Sequence, residues 1–126
     1  MPPIEITSFG YLHGDPPPAH VTCDLRQHFR DPHWNPELRQ LTARDEPVAQ
    51  AVMTTPGILA VVDALAAMVR AYLAGPAQAP LKVAIGCAGG RHRSAQVTQA
   101  LAQLLREEGT AVTVVHRDIN LPVVAR

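Results

Sequence analysis

Cysteine is nearly absent from this chain, and Cys23 and Cys87 are the two present. Two thiols make no disulfide framework and suit a reducing compartment, so a cytoplasmic location is expected. Aromatic residues supply only 4% of the chain, so Val, Leu, Ala and Ile must build the core. Net charge is also missing: 11 Lys and Arg balance 11 Asp and Glu. That removes the general attraction expected of a nonspecific nucleic-acid binder, and any affinity for polyanions must come from a local patch. No run approaches the roughly 18 uncharged apolar residues of a membrane span. The opening MPPIEITSFG lacks the basic region and apolar core of a secretory signal. Membrane association is therefore not expected.

What is present is 126 residues, enough for one domain that buries roughly two thirds of its unfolded surface. The most informative stretch is LKVAIGCAGGRHRS, residues 81–94. Its apolar start reads as a buried strand, and Gly89 and Gly90 then allow positive φ and close approach of the backbone to a ligand. An amphipathic helix follows, whose first turn offers unpaired N–H groups and partial positive charge to an oxyanion. Arg91, His92 and Arg93 stand at this mouth, where a guanidinium can take two anion oxygens. Ser94 adds a hydroxyl or caps the helix.

Two chemistries fit the stretch. Cys87 through Ser94 matches the C-x-x-G-x-x-R-S pattern of cysteine phosphatases, with Cys87 as nucleophile, Arg93 as clamp and Asp31 or Asp118 as general acid. Gly86 stands where those enzymes usually have histidine. The other reading is a noncatalytic seat for a phosphorylated small molecule, in which Cys87 is a small apolar residue ending the strand. Neither reading calls for a metal or a cofactor.

Along the chain, residues 4–9 read as a first strand, and GDPPP at 14–18 as an extended surface connection. Residues 20–24 form a second strand that delivers Cys23, Asp24 and Arg26. The polar segment 25–46 is long enough to suggest a function, and holds Arg30, Asp31, His33 and the single Trp34. Trp34, between Pro32 and Pro36, is expected to anchor this loop to the body. Helices are predicted over 46–53, with Pro47 near its start, and from Pro56 to about residue 73. The second carries so little polar surface that it should be covered on most sides. The helix after Ser94 stops at Gly109, and a last strand over 111–115 leads to His116, Arg117 and Asp118. Residues 1–3 and 119–126 are expected to fray.

Alternating strands and helices predict a single α/β domain with a small, mostly parallel sheet and helices on both faces. Ligands of such sheets lie beyond the carboxyl ends of the strands. Those ends carry Asp24 and Arg26, then residues 87–94, then His116 and Arg117.

In combination, DLR at 24–26, DPHW at 31–34, PELRQLT at 36–42, AIGCAGGRHRS at 84–94 and VVHRD at 114–118 resemble the C-terminal domain of the RapZ-type RNase adapter proteins. The resemblance covers nearly the whole chain. It implies a sensor of an amino-sugar phosphate, glucosamine-6-phosphate. It places ligand contacts on Asp24, Arg26, His33, Ala88, Gly89, Gly90, His92 and Arg93, with His116 and Arg117 nearby. In enterobacterial members it also implies a small regulatory RNA and an endoribonuclease as partners, and self-association is a further expectation. The chain departs from the family in lacking the P-loop G-x-x-x-x-G-K-[ST], so a domain standing without the nucleotide-binding half is expected. Ala88 replaces a frequent threonine. The tail INLPVVAR is nearly uncharged where RNA-binding members are lysine-rich.

Overall fold

The computed structural model describes residues 3–126; residues 1 and 2, expected to fray, lie outside the described residues. Four strands form one sheet, in which every pair is parallel and the order is β2-β3-β1-β4. These are β1 (Ile4–Gly10), β2 (Val21–Asp24), β3 (Leu81–Cys87) and β4 (Val112–His116). Three helices accompany them: α1 (Glu46–Met53), α2 (Ile58–Leu73) and α3 (Arg93–Glu107). Short 3-10 turns occupy Tyr11–His13 and Pro32–Trp34. No single helix among the described residues is long and apolar enough to cross a membrane.

The α/β class and parallel sheet are those that the alternation of elements predicts. The helices, however, share one face instead of covering both: α3 packs on β1, β3 and β4, and also against α1 and α2. Crossover handedness explains this. Both helical connections, β2 to β3 and β3 to β4, run in the same direction along the sheet, and right-handed crossovers then place their helices on one side. The β1 to β2 connection runs the opposite way. It carries the proline-rich segment, whose Pro17, Pro18 and Ala19 lie beside Glu5, Thr7 and Lys82 on the other face.

Strand composition follows from that asymmetry. Ile4 and Ile6 of β1, with Leu81, Val83 and Ile85 of β3, alternate toward the helices and are buried. Val97, Leu101 and Leu105 of α3 meet them from above. In α2, Ile58, Val62, Leu65, Ala66 and Val69 face the core. Its outer face is open instead of covered on most sides, with Leu59, Met68 and Tyr72 each about half exposed or more.

Pro3 and the segment 119–126 also differ from expectation. The carbonyl of Pro3 accepts the Leu81 N–H at 2.8 Å. Ile119 is fully buried, and the carbonyls of Ile119 and Leu121 accept from Arg91. The start of the tail is thus held by an arginine on the loop that the sequence places elsewhere, which is why a local pattern does not reveal it.

At the carboxyl edge, β1 and β3 come unusually close to the loop between β3 and α3. A Cβ on Gly10 would stand 2.4 Å from the carbonyl carbon of Gly89. Gly90 takes φ of 75°, and a Cβ there would meet the Gly10 nitrogen at 2.7 Å. Gly10 itself has an ordinary φ of −116°, so the constraint on it is space alone. Gly10→Ala should therefore destabilise the fold by about 1–3 kcal/mol, the usual range for overpacking against atoms that cannot move aside. A lowered urea midpoint with unchanged slope is the expected observation.

Candidate functional site

The order of strands creates a crevice between β1 and β3, because their onward connections leave over opposite faces of the sheet. The loop from Cys87 to Arg93 fills the carboxyl end of this crevice. Asp118, buried at the end of β4, accepts the Gly10 N–H at 2.8 Å and pairs with Arg117, closing the floor.

Within the loop, the Gly90 N–H donates to Cys87 Sγ at 3.3 Å, and the thiol is 3.1 Å from Ser94 Oγ. The Ala88 carbonyl accepts from Leu12 N. The N–H groups of Gly89, Arg91 and His92 meet no acceptor among the described residues. Ser94, expected at a ligand or as the helix cap, is instead buried against Cys87, and the N-cap position belongs to His92.

Arg93 is 1% exposed, and its guanidinium is turned away from the loop. Its Nη1 donates to the carbonyls of Leu25 (3.0 Å), Arg26 (3.1 Å) and Phe29 (2.9 Å), while Nη2 pairs with Asp31 Oδ2 at 3.1 Å. Nε is buried without an acceptor. Arg93 thus straps the 25–31 segment to the base of α3.

Asp31 is the hub of a second set. Its Oδ1 accepts the His33 N–H, which starts the Pro32–Trp34 turn, and its Oδ2 also faces Arg126 Nη2 at 3.3 Å. Arg126 Nη1 bonds His33 Nδ1, and the same guanidinium lies over Gly89. Because an arginine only donates, His33 Nδ1 is the unprotonated nitrogen. His92 has the other arrangement: its Nε2 faces the Leu41 carbonyl at 2.8 Å and so carries the proton. Asp31, His33, Cys87, Gly89, His92 and Arg126 enclose a small pocket.

Of the remaining expected residues, Arg91 also borders that pocket, whereas Asp24, Arg26, His116 and Arg117 stand apart from it. Asp24 and Arg26 form a bidentate, exposed pair, with Arg26 stacked on the Tyr11 ring at 3.6 Å. The Arg26 hydrogen bond holds the Asp24 carboxyl below its ordinary range, whereas burial, then Asp24, push the Tyr11 hydroxyl up. His116 turns to the helix face, where its ring bonds the buried Ser8 hydroxyl at 2.6 Å and meets Gln99. Arg117 is spent on Asp118 and the carbonyls of Gly10, Gly14 and Asp15. Arg91 serves the tail and the Gln40 carbonyl. Conversely, Arg126 and Arg39 line the pocket without having been singled out from the sequence. A lone arginine in a weakly patterned tail carries no local signal. Trp34, expected to be an anchor, is 61% exposed. No cluster of His, Cys, Asp and Glu suited to a metal occurs among the described residues.

Fold and site together define a parallel α/β domain with a small polar pocket at its topological switch point, built on a glycine loop and a helix N-terminus. The chain belongs to the RapZ C-terminal domain family, whose model matches residues 2–120. It is 39% identical over 119 residues to a nucleotide-binding protein of Thermobifida fusca, covering 92% of this chain and 40% of that one. A nucleotide-binding protein of Corynebacterium jeikeium is 35% identical over 120 residues, covering 93% and 41%. One from Streptomyces coelicolor is 38% identical over 118 residues, covering 91% and 39%. The chain spans about two fifths of the length of these relatives.

Two measurements test this geometry. Asp31→Asn leaves the buried Arg93 without its counter-charge, and although three carbonyls remain, a loss of about 3 kcal/mol is expected in chemical denaturation. The second concerns acid. Burial lowers the proton affinity of His33, His92 and His116 below the ordinary value of 6.5. The unfolded chain then binds more protons, so stability is full above about pH 6.5 and declines as the pH falls through that value. The urea midpoint should be lower at about pH 5.5 than at about pH 7.5, and His92→Gln, which keeps a donor for Leu41, should reduce the difference.

Proposed function

We propose that this domain binds a small phosphorylated metabolite, an amino-sugar phosphate such as glucosamine-6-phosphate, and that occupancy is read by a regulatory partner, an RNA or a ribonuclease. The observation that carries the reading is the Asp31 carboxylate held between the guanidinium groups of Arg93 and Arg126, beside His33, at the mouth of a loop with unpaired amides. An internal anion already occupies the cationic position. A phosphate dianion offers more oxygens than a carboxylate, so it competes for Arg126 and takes N–H groups of the loop as well. Arg126 leaves Asp31 and His33 to do so.

The phosphatase reading needs Arg93 to clamp equatorial oxygens above Cys87. Arg93 instead donates to three carbonyls and Asp31, and the thiol is engaged with Ser94. That arrangement favours holding an anion over displacement at phosphorus. The relatives are described as nucleotide-binding proteins over chains more than twice as long, which makes a nucleotide a useful comparison ligand.

Calorimetry with glucosamine-6-phosphate, glucosamine and a nucleotide monophosphate provides the test. Saturable heat with the sugar phosphate and none with glucosamine is expected. Equal response to the two sugars would count decisively against a phosphate seat.

A further inference from the structure

Beside the pocket runs a wider, shallower groove, walled on one side by Trp34 and Gln40 and on the other by Val123 and Ala125 of the tail. The two spaces are neighbours, with His33, Arg39 and Arg126 bordering both. Trp34 is the one tryptophan of the chain and is 61% exposed, although large aromatic side chains usually bury most of their surface. Its backbone is nevertheless held in a capped turn and its ring has one ordered neighbour. The Pro32–Trp34 turn is capped by Asp31, and the indole meets the buried His33 ring edge-on, with centroids 5.1 Å apart and planes at 88°.

We propose that Trp34 receives the ring of the phosphorylated ligand, so that the inner pocket holds the phosphate while the indole covers one face of the sugar in the outer groove. This rests on the phosphate-binding reading above and adds the residue that discriminates a phosphorylated ring from phosphate alone. The chemistry of the groove suits a carbohydrate. A pyranose has an apolar C–H face that matches an indole, and hydroxyl edges that need donors and acceptors such as Arg39 and the Gln40 amide. The connection between phosphate seat and ring platform is short, since His33 touches both Arg126 and Trp34. No other exposed aromatic side chain borders the pocket among the described residues.

Because the chain has a single tryptophan, its emission reports the groove directly. Glucosamine-6-phosphate should shift or quench the fluorescence on binding, whereas inorganic phosphate, which fills only the inner pocket, should leave the spectrum nearly unchanged. In calorimetry, Trp34→Ala should weaken the sugar phosphate roughly three- to tenfold and leave inorganic phosphate unaltered, with Trp34→Phe intermediate. The side chain is mostly exposed, and an unchanged urea midpoint will show that the variant folds. If Trp34→Ala binds the sugar phosphate as tightly as the parent, the ring platform is refuted while the phosphate seat stands. If the parent binds neither probe, the seat itself fails and the platform with it.

Discussion

A guanidinium with almost no solvent contact must find its hydration replaced, and Arg93 finds most of it in the carbonyls of Leu25, Arg26 and Phe29 and the carboxylate of Asp31, its Nε alone lacking an acceptor. The 25–31 segment has little regular structure of its own, so its path is set largely by this one side chain. Lysine would not serve: a compact ammonium with three donors cannot reach the same spread of acceptors from the first turn of α3. Once Asp31 is drawn to Arg93, it caps the turn that carries His33 and Trp34. The residues around the pocket thus depend on a charge that lies beneath them and does not itself line it.

The second constraint is the near contact of backbone with backbone at the crevice. Gly10 and Gly90 let the end of β1 and the β3–α3 loop approach to distances no side chain would tolerate. Asp118, from the end of β4, ties the Gly10 amide to the same point. Three strands are thereby locked together at one edge, and the loop above them is held rigid. That is the condition under which unpaired amides and a helix N-terminus can act on an anion without first being ordered by it.

Much of this was legible in the sequence, because the signals involved are local. Periodicity located all four strands and all three helices, and Gly89 and Gly90 marked the loop. The information that was missing is relational. Nothing in the pattern of α2 says that β2 to β3 and β3 to β4 run the same way, which is what gathers the helices on one face. INLPVVAR has no period, yet Arg91 and a buried Ile119 hold it down and bring Arg126 to Gly89. Arg93 was read as a ligand clamp because its spacing from Cys87 allows it. Only the surrounding carbonyls show where its donors are used. Trp34, between two prolines, reads as an anchor of its loop, and its exposure follows from the turn at Pro32, which presents the indole outward while burying His33.

The division of labour among the arginines bears on what the site can do. Arg93 is occupied by backbone carbonyls and Asp31 deep in the fold, where withdrawing it would strand buried acceptors, while Arg91 and Arg117, less buried, are engaged by carbonyls and, for Arg117, by Asp118. Arg126 shares Asp31 with Arg93 and bonds His33 through a single nitrogen. Asp31 keeps Arg93 when Arg126 departs, so exchanging partners leaves no buried charge unpaired. On the reading proposed above, Arg126 is the cation whose transfer to an arriving dianion would leave Asp31 still paired. The group that maintains the path of the 25–31 segment, Arg93, is thus distinct from the one that, on that reading, would answer to what enters the pocket.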